Sequence, residues 1–503
     1  MPNSISLRQQ LSRRTFLSAG LSGAALLALA GCTPTPAFLS PTSARVAKTE
    51  AARKATGATT KVALRASTGA IDLAGTSAQT WSFGSIPAPI IRLAQGDELD
   101  ATIQNTLPDA TTVHWHGLAL RNDMDGVPNL TQDAIAAGSS FRYRFTAPHP
   151  GTYWFHPHVG TQIDRGLYGA LIIEDPREPL AYDDEWVVIL DDWLDGVTAT
   201  PEEVLAELSK GMKEMAGMEG MMMRMGNTLM GAESDALGGD AGDVYYPHYL
   251  INGRPPADPE TYTSAPGKRV RIRMINAGGD TAFRVALAGH TLTVTHTDGF
   301  PVEPLDVDSV LVGMGERYDV IVTLGDGAFA FVAEAEGKNA RAFAVVRTGS
   351  GATPASNVTV SEITGRLATA DGLRAASEVV LPNKKPDREL TIRLRGSMKK
   401  YDWSLDGRPF TMDDPMIKPY SIAEGERVRV NFVNTTSMWH PMHLHGHTFQ
   451  HAGGGPRKDT SIVLPDRTLT VDFDADNPGR WLAHCHNIYH GEVGMMGVFA
   501  YTG

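Results

Sequence analysis

The sequence predicts an all-β protein of three consecutive, homologous β-sandwich domains, and three observations carry that expectation. From about residue 60 onward, short runs of alternating apolar and polar residues are broken by Gly, Pro, Asp and Asn, and long helical periodicities are few. One pattern occurs three times with equal internal spacing: a turn glycine, an alternating strand and a closing asparagine, at Gly96 to Asn105, Gly267 to Asn276 and Gly425 to Asn434. The copies begin a domain's length apart, which is the signature of duplicated sandwiches. The chain, at 503 residues, is also too long for one ordinary core.

Taken in order, the N-terminus is a targeting segment. Ser12-Arg13-Arg14-Thr15-Phe16-Leu17 has the form of a twin-arginine export signal, and an apolar run from Leu21 to Ala30 follows it. That run is too short to span a membrane. It ends in Leu29-Ala30-Gly31-Cys32, the form of a bacterial lipobox, in which Cys32 is acylated and becomes the first mature residue. The alternative is that Cys32 lies inside a discarded peptide cleaved later. The expected division is a signal peptide over 1–31, an Ala/Thr/Pro/Ser-rich tether over 32–60, and sandwich domains over 61–178, 179–375 and 376–503. The product is expected outside the cytoplasm, as a lipoprotein in the periplasm or on the cell surface, touching the membrane only through its anchor.

Composition narrows the function. Hydrophobic residues at 42% and charged residues at 20% are ordinary for a soluble globular protein. A formal charge of −12 without a basic tract argues against a nucleic-acid partner. Only two cysteines are present, and with Cys32 lipidated or removed none can pair with Cys485. Cys485 is then better explained as a metal ligand than as half of a disulfide.

Its surroundings support this. In His484-Cys485-His486, strand alternation sends the two histidines to one face and the thiol to the other. Cys485, His490 and the later Met495 are three of the four ligands of a blue copper site, which takes one Cys, two His and a weak axial Met. Ten of the sixteen histidines fall in four clusters: His114/His116, His156/His158, His440/His443/His445 and His484/His486/His490. One His-x-His pair is weak evidence, since a solvated or packed histidine is commoner than a ligand. Ten imidazoles with one thiolate and one thioether point instead to several coppers rather than to a closed zinc site. After the middle repeat the matching stretch, Phe283 to Leu287, has no histidine, so the middle domain is expected to space the outer two.

The motifs His-Trp-His-Gly, His-Pro-His, His-Pro-Met-His-Leu-His-Gly and His-Cys-His-x-x-x-His-x-x-x-x-Met resemble those of the three-domain multicopper oxidases over nearly the whole chain after the signal. Arg121 to Gly126 and Lys400 to Trp403 look like the bacterial copper-resistance branch, and the lipobox like its actinobacterial lipoproteins. The resemblance implies three cupredoxin-like Greek-key β-sandwich domains and four copper ions. It implies a type 1 copper on His440, Cys485 and His490 with Met495 axial, and a type 2 copper on His114 and His443. The type 3 pair would take His116, His156 and His486 on one ion and His158, His445 and His484 on the other. The remaining histidines, 149, 248, 290, 296, 447 and 451, are expected at the surface or in packing, with 447 and 451 near the type 1 site by sequence. The implied reaction moves single electrons from a reductant through Cys485 and its flanking histidines to dioxygen, making two waters. Asp125 is the implied proton donor, against the alternative of a solvated Asp-Gly turn. Some relatives carry a Glu directly after the last type 1 histidine; here that position is Gly491, with Glu492 next as the second donor.

The reductant is the open question. Between Met212 and Met230 lie eight methionines, including Met218, Met221, Met222, Met223 and Met225. Several fall at helical spacing, as an apolar stripe would. The segment is broken by glycines and ends in Gly-Gly-Asp-Ala-Gly-Asp, which suggests a mobile insertion, and thioethers select Cu(I). Met438 lies where related cuprous oxidases place a methionine beside the type 1 copper, although an acid of theirs is replaced by Thr436. The expected function is oxidation of Cu(I) coupled to O2 reduction, serving copper tolerance, by a monomer. A laccase-like oxidase of phenols or Fe(II) is the alternative, and a non-catalytic copper-binding protein comes last.

Overall fold

A computed structural model describes residues 37–211, 221–408 and 410–503 of the chain. The signal, Cys32 and the methionines at 212, 215 and 218 lie outside the described residues.

The three repeat strands, Glu98–Asn105, Arg269–Asn276 and Arg427–Asn434, occupy equivalent places. Each pairs in parallel with the first strand of its domain and antiparallel with a later one: Thr59↔Glu98 and Glu98↔Thr146, Val270↔Asp184 and Val270↔Val322, Arg388↔Val428 and Val428↔Phe473. The turn glycines 96, 267 and 425 all have φ between 79° and 88°, a conformation costly for any other residue. Each closing asparagine is buried and does the same work. Asn105 Nδ2 donates to Asp109 O and Ile135 O while its Oδ1 accepts from Leu107. Asn276 bonds Thr281 O, Val312 O and the N–H of Gly278 in the same way, and Asn434 bonds Met438 O, Val463 O and the N–H of Thr436. A buried amide with three backbone bonds fixes the loop that follows it. In the first and third domains that loop leads into the histidine strands His114–His116 and His440–Leu444; in the middle domain it leads to Phe283–Leu287.

Each domain is a sandwich of two sheets: four and four strands in the first, six and six in the second, six and five in the third. The histidines sit in the second sheet of the outer domains. There His114 pairs with His156, His443 with His484 and Met442 with Cys485. Strand alternation therefore puts His443 and His484 on one face of this sheet and Met442 and Cys485 on the other.

Two expectations need correction. Residues 37–58 are no free tether. Leu39 N–H donates to Tyr501 O, Ser43 caps a helix Ala44–Ala51 with Val46 buried, Glu50 accepts from Thr146 N–H, and Arg53 reaches Asn477. An Ala/Thr-rich composition hid a strap that ties the first domain to the third. Nor is 221–243 a helix or a mobile insertion. Met223–Met225 and Thr228–Met230 form a hairpin, Glu233–Ser234 pairs with Gly239–Asp240, and Leu229, Ala232, Leu237 and Ala241 pack with Trp439 of the third domain. The Gly-rich stretch provides left-handed turns, such as Gly238 at φ 79°, and folds down onto a core.

Candidate copper centres

His440 Nδ1, Cys485 Sγ and His490 Nδ1 converge in a fully buried pocket. The nitrogens are 3.2 Å apart, and the sulfur lies 3.7 and 3.8 Å from them. These are the spacings of three atoms each about 2 Å from one ion. His440 comes from its strand and Cys485 from the end of Arg480–Cys485. His490 comes from the short helix Ile488–Glu492, whose N-terminus Asn487 caps by accepting from the N–H groups of Tyr489 and His490. The outer nitrogens are held: His440 Nε2 by Thr436 Oγ1 at 2.9 Å and His490 Nε2 by Asp243 Oδ2 at 3.1 Å. Met495, also buried, is tied in by its backbone, donating to His490 O and accepting from Cys485 N–H at 3.0 Å each. Burial pushes the Cys485 thiol well above its ordinary range, so only a bound cation would hold it as thiolate there.

On the other face of the same strand, eight histidines from the outer domains form one cluster. His114 stacks on His445 at 3.8 Å and His116 on His443 at 3.9 Å, a first-domain ring on a third-domain ring each time. Three triads have ligand atoms within 4.8 Å of one another: His114, His116 and His443; His116, His156 and His486; His158, His445 and His484. In most of these rings one nitrogen is engaged by an acceptor. His114 Nδ1 bonds Asp125 O, His156 Nδ1 bonds Pro157 O, His443 Nδ1 bonds Asp459 O and His484 Nδ1 bonds Cys485 O, all at 2.8–2.9 Å. A carbonyl oxygen only accepts, so these nitrogens carry the proton and the opposite ones keep a lone pair. His445 Nδ1 faces Asp125 Oδ2 at 3.0 Å, and His116 Nε2 faces Asp459 Oδ1 at 3.2 Å.

The opposite nitrogens are the telling ones. His114 Nε2, His116 Nδ1, His156 Nε2, His443 Nε2 and both nitrogens of His486 are buried without a hydrogen-bond partner. His445, His484 and His158 aim Nε2 at one another at 3.1 and 3.5 Å. Buried polar atoms are almost always paired, so this many lone pairs converging in one buried space fit metal ions. Burial also pulls the imidazole pKa values well below the usual range, as at His156, His445, His484 and His486, which keeps the rings neutral and able to ligate.

Every histidine expected as a ligand is in one of these two sites. Asp125 is no solvated turn residue: it is fully buried, and besides His445 its Oδ1 lies 3.3 Å from His114 Nδ1. Met438 is buried and forms an isolated bridge to Asp240, just before the strand His440–Leu444. Met221, Met222 and Met225 are exposed, and Met223 half-buried. Glu492 ends its helix with no hydrogen bond or ion pair among the described residues, and burial raises its carboxyl to about 7. At Gly491 a Cβ would meet Cys485 O at 3.1 Å, so an acid there would crowd the cysteine. His447 belongs beside the histidine cluster rather than the cysteine pocket, bonding His445 O and Tyr501 OH. Sequence reasoning missed Asp243 and Asp459. Asp243 carried no signal beyond its loop composition, and Asp459 reaches His116 across 343 residues.

Three sandwiches with a cysteine-centred pocket and an interdomain histidine cluster define a cupredoxin-fold, metal-dependent oxidoreductase. Family models described as multicopper oxidase match residues 66–178, 184–351 and 383–502. The chain is 46% identical to "Multicopper oxidase MmcO" of Mycobacterium tuberculosis, over 97% of this chain and 96% of that protein. It is 29% identical to "Copper resistance protein A homolog" of Pseudomonas syringae pv. tomato, over 82% and 87%. The crystal structure of laccase from Botrytis aclada is similar with a TM-score of 0.73 at 25% identity, over 89% of this chain and 88% of that one. The chain belongs to the multicopper oxidase family, and copper is its metal.

Proposed function

We propose that this oxidase couples one-electron oxidation of Cu(I) to the four-electron reduction of O2 to water, and so serves copper tolerance. It would hold four copper ions: type 1 on His440, Cys485, His490 and Met495, type 2 on His114 and His443, and a type 3 pair on His116, His156 and His486 and on His158, His445 and His484. Bound copper supplies single-electron uptake at the cysteine pocket and dioxygen reduction at the histidine cluster. The chain supplies the rest. Cys485 is bonded through the backbone to His484 and His486, a covalent route between the sites. Asp125 orients His114 and His445 and is the buried acid from which a proton reaches the cluster.

The observation that favours Cu(I) is the cover over the cysteine pocket. His440 and His490 are fully buried, and their outer nitrogens are taken by Thr436 and Asp243. A phenol has no bare imidazole edge to touch. The hairpin that carries the exposed thioethers of Met221, Met222 and Met225, soft ligands for Cu(I), packs through Leu229 on Trp439, the residue between buried Met438 and His440. Kinship to laccases keeps phenols as the competing reductant.

Oxygen uptake with Cu(I), Fe(II) and a phenol, measured side by side, tests the reading. Cu(I) should support the fastest uptake without release of peroxide; uptake with phenol alone would refute it. We also propose export by the twin-arginine route and acylation at Cys32, outside the described residues. Cys32→Ala should move the protein from the membrane to the soluble exported fraction with activity per copper unchanged, and unaltered membrane association would refute the anchor.

A further inference from the structure

The middle domain holds none of the clustered histidines, yet one of its turns enters their site. Residues 313–316 join the strands Ser309–Val312 and Arg317–Thr323. A Cβ on Gly315 would lie 2.7 Å from the His486 ring, so bare backbone packs on that imidazole. Two residues on, fully buried Arg317 touches all three domains. Its Nε donates to Thr152 O at 3.1 Å, its Nη1 to Gly315 O at 3.1 Å, and Nη1 and Nη2 grip the Asp459 carboxylate at 2.7 and 2.6 Å. Asp459 Oδ1 in turn lies 3.2 Å from His116 Nε2 and 3.4 Å from His443 Nδ1. Gly117, directly after the first histidine pair, makes room: a Cβ there would lie 2.3 Å from Arg317 Nη2 and 2.6 Å from Asp459 Oδ2.

A guanidinium–carboxylate fork fixes the plane of the carboxylate as well as its place. A carboxylate so fixed sets the tilt of the two stacked rings it touches, one from the first domain and one from the third. We propose that Arg317 is a positioning residue for this cluster, acting through Asp459 on His116 and His443, so that the middle domain takes part in building the site. The inference rests on the copper assignment above. Outer partners of metal-ligating histidines typically change metal affinity or activity by about tenfold to a hundredfold when altered.

The test compares Arg317→Lys and Asp459→Asn with Arg271→Lys, an equally buried arginine of the same domain whose partners, Asp319 and Glu178, touch no clustered histidine. Purified copper-loaded proteins are read by absorption near 600 nm for the cysteine pocket, by the type 2 electron paramagnetic resonance signal, and by copper content. In Arg317→Lys and Asp459→Asn the blue band should persist while the type 2 hyperfine splitting shifts or type 2 copper is lost, and kcat should fall by about tenfold or more. Arg271→Lys should keep the wild-type type 2 signal. Wild-type type 2 signals in the two site variants would overturn the proposal, as would the same change in all three. Blue protein from neither site variant would make the clamp a folding element and overturn it too. A wild type lacking any type 2 signal would instead refute the copper assignment itself.

Discussion

At the scale of single residues, the site is a problem of pairing. Each ring that bonds a carbonyl through one nitrogen has its tautomer fixed before any metal arrives, and its other lone pair is aimed where a metal would be. Asp125 stands between His114 and His445 and, among the described residues, is the one buried acid touching both. Asp125→Asn keeps an acceptor for His445 Nδ1 but removes the ionisable carboxyl. It should leave copper content and the blue band intact and lower kcat by about 10²- to 10⁴-fold, the usual contribution of a general acid. Steady-state oxygen uptake with parallel copper assay checks this, and an unchanged kcat would remove Asp125 from the proton path. The histidine clusters were legible in the sequence because their spacing is local: a histidine every second residue needs no tertiary knowledge. Asp459, Asp243 and Arg317 were not, because each acts on a residue far away in the chain.

At the scale of elements, the repeat was legible because its turn glycine and terminal asparagine do one job in all three copies. In the described part of the methionine-rich segment a hairpin stands where the sequence suggested a mobile insertion or, as the alternative, a helical stripe, which spacing alone cannot distinguish from a hairpin. Glycine at 226, 231 and 238, each with positive φ, decides for turns. The strand Met223–Met225 leaves Met225 exposed while Leu229 of its partner strand is buried with Trp439. Replacing Met221, Met222 and Met225 together by Leu removes three thioethers without touching that buried side. Since Leu is close to Met in volume, stability should change by less than about 1.5 kcal/mol. The apparent KM for Cu(I) should rise several-fold while phenol oxidation holds steady. Proportional loss of both activities, in side-by-side kinetics, would make these methionines structural.

At the scale of the whole molecule, the cluster exists only while the first and third domains meet, and several devices hold them. The N-terminal strap crosses from Tyr501 to Thr146, and a buried charge cluster joins the first two domains. Asp319 there accepts from Thr152 Oγ1 of the first domain and from Arg271 and Arg273 of the second. Burial alone would raise its pKa, but the two guanidinium groups outweigh burial and hold it at about 2. Its stabilising contribution is therefore full above its ordinary value of 3.8 and is lost as pH falls from there towards about 2. Asp319→Asn should cost about 3–5 kcal/mol at pH 7, as breaking a buried ion pair does, and the deficit should shrink at pH 3. Unfolding midpoints at the two pH values check this; an equal deficit at both would assign the loss to packing. The sequence made the middle domain a spacer, which its lack of clustered histidines suggested. Its part in the site depends on Arg317 and Gly315, whose roles appear only once three domains are in contact.

Copper quantitation with paired optical and paramagnetic spectra of the purified wild type, beside Cys485→Ser, tests the central assignment most directly. The account predicts four coppers per chain, two of them paramagnetic, and a blue band near 600 nm that vanishes in Cys485→Ser together with all turnover. One or two coppers per chain, or a serine variant that stays blue, would contradict it.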